Sequence, residues 1–393
     1  MRTLFILGRQ PALGRAELES LYGADALRPW SANSMIYAGA AAPGDFARLG
    51  GSVKMCSVLE TIEGTDWRQL QAAVVAAGLR LGQEIAEGKI QLGVSAYGLR
   101  LSTRQLTAAG LEVKKALRSA GRSVRLVQNQ EPALNSAQVL HNHLTGERGL
   151  ELVLASNGKQ TLLGYTLAEQ DITAYTERDR GRPKRDARVG MLPPKLAQTI
   201  INLATSSSPP SSDFTVLDPF CGTGVVLQEA LLMGFSAYGT DLEPRMIAYS
   251  QANLDWLAGK TAGFMMPHLE AGDATAHHWN RTPNAVACET YLGQPYATLP
   301  PRQKLQENIR TCNTILEKFL QNIAAQIAPG TRLCVAVPAW QHKPGQFTHL
   351  PLLDHLDVLG YNRIDFRYAQ SSELIYYRPD QIVARELLVI TRK

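Results

Sequence analysis

The chain has few cysteines and no cysteine pair at a metal-binding spacing. Its 393 residues include five, which are Cys56, Cys221, Cys288, Cys312 and Cys334. An odd number of scattered cysteines without a Cys-x-x-Cys motif argues against a zinc ribbon and against a disulfide framework. This usage is typical of the reducing cytoplasm, where we expect the protein to act.

Long apolar runs and an excess of one charge are also missing. No apolar stretch reaches 18 residues, so we expect no membrane span. The N-terminal run Leu4–Leu7 is broken by Gly8 and Arg9, which predicts a first strand rather than a signal peptide. A net charge of +5 is compatible with nucleic acid, but many metabolic enzymes are equally basic. The length predicts two or three domains.

The most informative stretch spans residues 216–232. A short apolar run ends at Asp218, a turn of sequence Pro-Phe-Cys-Gly-Thr-Gly follows, and a helical pattern begins at Val225. This order predicts a strand, a glycine loop and a helix whose free N–H groups face a ligand. The acidic residue precedes the glycines and Gly-x-Gly-x-x-Gly is absent, which argues against a dinucleotide fingerprint.

The run Asp-Pro-Phe-Cys-Gly-Thr-Gly strongly resembles motif I of class I S-adenosylmethionine-dependent methyltransferases, in the subgroup that methylates exocyclic amines of nucleic-acid bases. The resemblance implies that S-adenosylmethionine is the cofactor and that this loop binds it, through Asp218, Pro219, Cys221, Gly222 and Gly224. The pattern predicts alternating strands and helices from residue 215 onward. It also predicts two long strands at 362–368 and 382–391 that pair as a hairpin. The pattern predicts a Rossmann-like α/β domain, with a parallel sheet and a C-terminal antiparallel hairpin.

Two further carboxylates follow predicted strands. Asp241 ends the second strand, 23 residues after Asp218, and suits the two ribose hydroxyls of the cofactor. Asp273 follows the third strand and suits an adenine amino group. An acidic pocket also suits a cationic sulfonium. A single aspartate after a strand is more often a helix cap or a turn residue, but three carboxylates at consecutive strand ends together with the glycine loop favour a cofactor site.

The catalytic motif admits two alignments. Amino methyltransferases of this class carry Asp/Asn-Pro-Pro-Tyr/Phe after the fourth strand, whereas this chain has Cys-Glu-Thr-Tyr-Leu-Gly-Gln-Pro-Tyr from Cys288. One alignment makes Glu289 the acceptor of the amine hydrogens and Tyr291 the ring that stacks on the base. The other keeps Pro295 and Tyr296. We prefer the alignment through Glu289, because the strand ends there. Direct in-line transfer of the methyl group needs no metal, so no metal site is expected. The alternative is a decayed motif in a protein that binds without catalysis.

A basic segment precedes the predicted catalytic domain. It suits phosphate contacts, although a solvated charged linker is the alternative, and its candidate RNA-binding residues are Arg178, Arg180, Arg182, Lys184, Arg185 and Arg188. Together with Met-Leu-Pro-Pro-Lys-Leu-Ala at 191–197, the N-terminal strand-helix opening and motif I, this segment resembles the THUMP-domain tRNA guanine-N2 methyltransferases. The resemblance implies that Met191, Pro193 and Lys195 flank the cofactor pocket.

The N-terminal part is α+β by pattern, including a hairpin of 151–155 and 160–164 across Asn157-Gly158. The predicted organisation is an α+β RNA-binding region at 1–170, ferredoxin-like plus THUMP-like, a basic linker at 171–190 and a methyltransferase domain at 191–393. The expected function is methylation of a guanosine N2 in tRNA. A DNA amino-methyltransferase and a non-catalytic tRNA-binding protein are the alternatives. The sequence leaves open a monomer or a homodimer, and an accessory subunit.

Overall fold

A computed structural model describes residues 1–186, 191–296, 298–343 and 345–393. Its helices, α1 to α10 in chain order, are Pro11–Tyr22, Pro43–Phe46, Trp67–Glu84, Thr103–Ser119, Ser136–His141, Ile172–Arg180, Pro194–Thr205, Val225–Leu232, Pro244–Ala258 and Arg302–Ala324. Within these ranges no helix has the length and apolarity to cross a membrane.

The strands, β1 to β17 in chain order, are Arg2–Leu7, Leu27–Ser31, Ser34–Tyr37, Ser52–Glu63, Ile90–Tyr97, Val124–Leu126, Gly149–Ser156, Gln160–Glu169, Thr215–Asp218, Ser236–Asp241, His268–Ala271, Ala285–Glu289, Arg332–Lys343, Gln346–Thr348, Tyr361–Arg363, Ile375–Tyr376 and Val383–Arg392. The chain divides into two compact units. One comprises residues 1–11, 25–47 and 52–174, and the other comprises 12–24, 48–51 and 175–393. The boundaries 170 and 190 expected from the sequence stay a prediction.

The first unit is built on one eight-stranded mixed sheet in the order β2-β3-β1-β4-β8-β7-β5-β6. The hairpin across Asn157-Gly158 is confirmed: β7 pairs antiparallel with β8, and Gly158 has a φ of +91°. The helix α4 begins at a capping box between Ser102 and Gln105. Its apolar stripe is buried in a core that also includes residues of α3.

A buried ion-pair network lies on β4, β7 and β8 of this unit. Lys54 is 1% exposed, and its Nζ lies 2.5 Å from Glu151 Oε1 and 3.4 Å from Glu169 Oε2. The hydroxyls of Ser95 and Thr166 donate to Glu151. Burial raises the pKa of Glu169 to about 7, although the Lys54 charge opposes the shift. Two carboxylates thus share one buried ammonium, and the network depends on that cation.

The second unit contains the predicted doubly wound sheet. Its strands run in the order β11-β10-β9-β12-β13-β17-β15, parallel from β11 to β13, and β17 is antiparallel to β13. Apolar cores lie on both faces of the sheet. One includes α7 and α8, and the other includes α10. Because the parallel strands point the same way, their carboxyl ends meet at one edge.

The predicted C-terminal hairpin is partly wrong. Strand β17 is long and pairs with β13 from Arg332–Thr391 to Trp340–Val383. On its other side it pairs antiparallel with two short strands, β15 at Tyr361–Arg363 and β16 at Ile375–Tyr376. Beyond β15, the N–H groups of Arg367 and Tyr368 donate to the Glu19 carboxylate instead of to a strand. The expected strand at 362–368 therefore ends after Arg363, because a side chain satisfies the backbone there.

Candidate active site

Four carboxylates from consecutive strand ends line one cavity. Asp218, Asp241 and Glu289 are the last residues of β9, β10 and β12, and Asp273 follows β11 by two positions. All four line a cavity of about 700 Å³. The sheet order β11-β10-β9-β12 brings these ends side by side, because a parallel sheet gathers its carboxyl ends at one edge.

The loop after β9 needs its two glycines for different reasons. Gly222 has a φ of +51°, and a Cβ there would meet nothing nearer than the Phe220 carbonyl at 3.9 Å, so open space adjoins it. Gly224 has a φ of +83° and begins α8, and a Cβ there would lie 3.0 Å from Ser250 Oγ. Gly222 therefore lines the cavity, whereas Gly224 serves the turn and the packing beneath it.

Asp218 is almost completely buried. It is 2% exposed, and its Oδ1 accepts a hydrogen bond of 3.2 Å from the Phe220 N–H. Burial raises the pKa of Asp218 well above its ordinary value, and the nearby charges of Asp241 and Glu289 raise it further, although the Phe220 bond opposes the shift. The protein alone thus disfavours the charged form of this carboxylate.

Backbone N–H groups orient the other two aspartates. Asp241 accepts from Gly222 at 2.8 Å and from Glu243 at 2.9 Å, and burial raises its pKa. Asp273 Oδ1 accepts from the backbone and hydroxyl of Thr275, at 2.9 and 2.8 Å. Each carboxylate oxygen can accept more than one hydrogen bond, so both side chains keep acceptor capacity.

Glu289 is held by an arginine from the C-terminal strand. Arg385 Nε lies 2.5 Å from Glu289 Oε1, and Arg385 Nη2 lies 3.5 Å from Oε2. The side chains of Arg385 and Glu289 are 8% and 13% exposed. This fork fixes the plane of the carboxylate. Arg385 was not predicted as a site residue, although one signal was available: Arg385 and Glu386 are the two charged residues inside the otherwise apolar run 382–390.

The two candidate stacking rings line different cavities. Tyr291 is 43% exposed and lines the same cavity as Glu289. Tyr296 lines a second cavity of about 510 Å³. Residues 292–295 border both. The alignment through Glu289 and Tyr291 therefore brings its residues into one space, whereas Tyr296 lies in the neighbouring one.

Two of the candidate RNA-binding arginines point into the protein instead. Arg178 pairs with the fully buried Glu229, at 2.7 Å from Nε to Oε1 and 3.2 Å from Nη2 to Oε2. Arg182 is 3% exposed. Arg178 is 15% exposed and neutralises an internal carboxylate, whereas Arg182 is buried, so both are less accessible than the sequence suggested, and their role in RNA binding stays a prediction.

The remaining candidate RNA-binding residues lie in different environments. Arg180 and Arg185 are exposed and line the second cavity. The Lys184 ammonium lies 5.5 Å from the centre of the Tyr249 ring. Arg188 lies outside the described residues.

The three residues that the resemblance implies beside the cofactor pocket do not line the cavity with the four carboxylates. Met191 and Pro193 line the second cavity. Lys195 is not among the residues lining either cavity; its ammonium lies 5.1 Å from the centre of the Tyr175 ring. Pro219 and Cys221 do line the first cavity.

Comparisons with known proteins find relatives over part of the sequence and a solved structure of similar fold. A family model described as "DNA methylase" (N6_N4_Mtase) matches residues 168–252. A tRNA (guanine(10)-N2)-dimethyltransferase of Methanothermobacter thermautotrophicus is 28% identical over 149 residues, 38% of this chain and 39% of that protein. Its counterpart from Pyrococcus abyssi is 31% identical over 118 residues, 30% of this chain and 32% of that protein. The matches therefore span less than half the length of these relatives.

Among solved structures, TrmN from Thermus thermophilus superposes with a TM-score of 0.52 at 16% identity, covering all of both chains. At this identity the likeness concerns the fold alone. The chain has the Rossmann-like fold of the class I methyltransferases in its second unit, and it is homologous over part of its length to tRNA (guanine(10)-N2)-dimethyltransferases.

Proposed function

We propose that this protein is an S-adenosylmethionine-dependent RNA methyltransferase that acts on the exocyclic N2 of a guanosine in tRNA. The observation that carries the proposal is the single cavity lined by Asp218, Asp241, Asp273 and Glu289 at the carboxyl edge of the parallel sheet. The cytoplasm is the expected compartment, because tRNA is the substrate.

The cavity fits the cofactor on grounds of charge. Asp218 and Asp241 form no ion pair with any side chain in the described ranges, and burial raises the pKa of both. Two desolvated carboxylates without a cation favour a cationic ligand, and S-adenosylmethionine carries a sulfonium and an ammonium group. Asp241 would hold the ribose hydroxyls of the cofactor and Asp273 its adenine amino group. When bound, the cofactor supplies an electrophilic methyl group.

The residues of the chain position the amine and remove its proton. Glu289 accepts hydrogen bonds from the guanine N2 amino group, which aims the nitrogen lone pair at the methyl carbon. Glu289 would also accept the proton that the amine loses on methylation and would pass it to solvent. Tyr291 stacks on the base, which has to leave its helix or loop to reach the cavity.

The tRNA substrate is supported by the names of the two archaeal relatives, both tRNA (guanine(10)-N2)-dimethyltransferases. The chain's guanine N2 target follows from the same similarity. The second candidate is a DNA amino-methyltransferase, which the "DNA methylase" family match over 168–252 favours.

The test is transfer of radiolabelled methyl from S-adenosylmethionine to unmodified total tRNA, followed by nuclease digestion and nucleoside mass spectrometry. Label in N2-methylguanosine supports the proposal. Glu289→Ala should abolish the label while leaving cofactor affinity near that of the unaltered protein. Duplex DNA is offered in parallel, and preferential labelling of adenine or cytosine there would favour the second candidate. Cofactor and tRNA binding without transfer would favour a decayed site.

A further inference from the structure

The second cavity adjoins the first. It has a volume of about 510 Å³, and residues 292–295 separate it from the cavity with the four carboxylates. Tyr296 and Tyr376 contribute aromatic rings to its lining. A cavity of this size is in the range of small-ligand sites. The function proposed above puts the cofactor and the target base in the first cavity and gives the second no role.

Arginines outnumber carboxylates in the lining of the second cavity. It contains Arg180, Arg185, Arg378 and Arg385 against Asp179 and Asp380. Arg385 is committed to Glu289. A hydrogen bond with Tyr376 raises the pKa of Arg378, with the charges of Asp380 and Asp179 adding to the effect, so the two aspartates face that arginine.

Two arginines of the lining then have no counterion. Arg180 and Arg185 form no ion pair with any carboxylate in the described part of the chain. Both are exposed at the mouth of the cavity. A planar guanidinium presents several donors in a fixed fork, which suits the oxygens of a phosphate.

A third arginine, Arg182, is buried beside the cavity. Arg182 is 3% exposed, and its Nε, Nη1 and Nη2 have no hydrogen-bond partner among the described residues. Burial lowers the pKa of Arg182 and Arg185 adds to the shift, whereas the charges of Asp179 and Glu229 oppose it, so Arg182 lies close to two residues of the lining. Buried guanidinium donors without hydrogen-bond partners are costly, and a nearby anion would reduce that cost.

We propose that the second cavity binds the backbone phosphodiester adjoining the target guanosine, through Arg180 and Arg185, with Tyr296 against the neighbouring nucleoside. The proposal rests on the function proposed above, because that function places the base of the target guanosine in the first cavity. Phosphate contacts set position and orientation, whereas contacts to the base set identity. Anchoring the phosphate beside Glu289 therefore restricts where the N2 amine can lie.

The experiment measures binding and does not require methyl transfer. A fluorescein-labelled nine-nucleotide RNA strand with one central guanosine is titrated with the full-length protein in S-adenosylhomocysteine, and anisotropy is recorded. A second strand carries uncharged methylphosphonate linkages on both sides of the guanosine. The double variant Arg180→Ala/Arg185→Ala is compared with Arg281→Ala/Arg310→Ala, two exposed arginines that line neither cavity. Unfolding curves check that all variants are folded.

We expect Arg180→Ala/Arg185→Ala to weaken binding of the charged strand by about 10-fold or more. The slope of the logarithm of the binding constant against the logarithm of the salt concentration should become smaller in magnitude by about 1.4, because two phosphate contacts on a single strand are lost. The control pair should stay within about 2-fold. The unaltered protein should bind the methylphosphonate strand more weakly than the charged strand. The double variant should bind the two strands with nearly equal affinity. Equal losses on both strands, no loss on either, or no binding of the charged strand would overturn the proposal.

Competition separates a polynucleotide from a free nucleotide. Guanosine 5′-monophosphate should displace the labelled strand only weakly, and equal affinity that depends on Arg180 and Arg185 would mean that the cavity takes a free nucleotide, contrary to the proposal. If the arginine effect holds but total tRNA gains no N2-methylguanosine, the proposed function fails while the phosphodiester site stands. If the label appears without the arginine effect, the reverse is true.

Discussion

Arg385 joins strand β17 to the end of β12 through the carboxylate of Glu289. The distances are 2.5 and 3.5 Å, and both side chains are largely buried. Glu289 lines the first cavity and Arg385 the second, so the pair lies between them. Glutamate is one methylene longer than the aspartate or asparagine expected at this place. The arginine limits the freedom that this extra length would otherwise give.

Removing Arg385 should therefore be costly. Arg385→Met leaves the Glu289 carboxylate largely buried without its cation, and we expect a loss of about 3–5 kcal/mol in the free energy of unfolding. Urea denaturation measures the loss. The double variant Glu289→Gln/Arg385→Met should recover part of it, because no unpaired charge remains. A double variant that is less stable than Arg385→Met alone would contradict this account of the pair.

Arg178 and Arg180 lie two residues apart, but they should differ in what their loss does. Arg178→Ala leaves the buried Glu229 without its arginine, so we expect a fall in stability of about 3 kcal/mol or more. Arg180 forms no ion pair with a described residue, and Arg180→Ala should weaken RNA binding with little change in unfolding. Denaturation and RNA titration of both variants check this. The contrary result would be stable Arg178→Ala protein with impaired RNA binding.

Cofactor affinity should rise with pH. The pKa of Asp218 is raised above its ordinary value near 3.8, so its contribution to folding stability is fully present below that value and is lost as the pH rises through the raised pKa. A cationic cofactor favours the ionised carboxylate, and binding thus releases a proton over the same range. Calorimetry in two buffers of different ionisation enthalpy measures the release.

Asp218→Asn is the matched control for this proton release. It should bind the cofactor weakly, lose that part of the pH dependence, and be more stable than the unaltered protein without cofactor at neutral pH. A cofactor affinity independent of pH would argue against a carboxylate with a raised pKa in the site.

The Lys54 network predicts a pH-dependent defect in the first unit. Lys54→Met leaves Glu151 and Glu169 buried without a cation, for a loss of about 3–5 kcal/mol in the free energy of unfolding at pH 8. Because the raised pKa of Glu169 lies at about 7, this carboxylate gains a proton as the pH falls, and the defect should be smaller at pH 5. Denaturant unfolding at both pH values checks this, with Lys159→Met in an exposed turn as the control. An equal defect at both pH values would exclude Glu169 as its source.

Local patterns were sufficient for much of the second unit. The loop 218–224 and the strands before Asp218, Asp241 and Glu289 follow from short apolar runs, each ending in an acidic residue. Strand β4 and helix α10 were not predicted. Apolar and polar residues alternate poorly along strand β4, because Lys54 is buried there. In a sequence a buried lysine cannot be told from a surface residue. The helix α10 has a mostly polar surface, so its apolar stripe stands out only once its partners are known.

The doubly wound sheet and the carboxylates at its edge can be predicted from local sequence, because the carboxyl ends of parallel strands meet wherever such strands form. Which charges are available to a ligand depends instead on the packing of distant segments. Arg178, Arg180 and Arg182 come from one basic run, yet Arg178 pairs with Glu229, Arg182 is buried, and Arg180 lines a cavity. The partner of Glu289 likewise comes from 96 residues away. Charge pairing depends on distances of a few ångströms between segments far apart in the chain, and no local pattern encodes them.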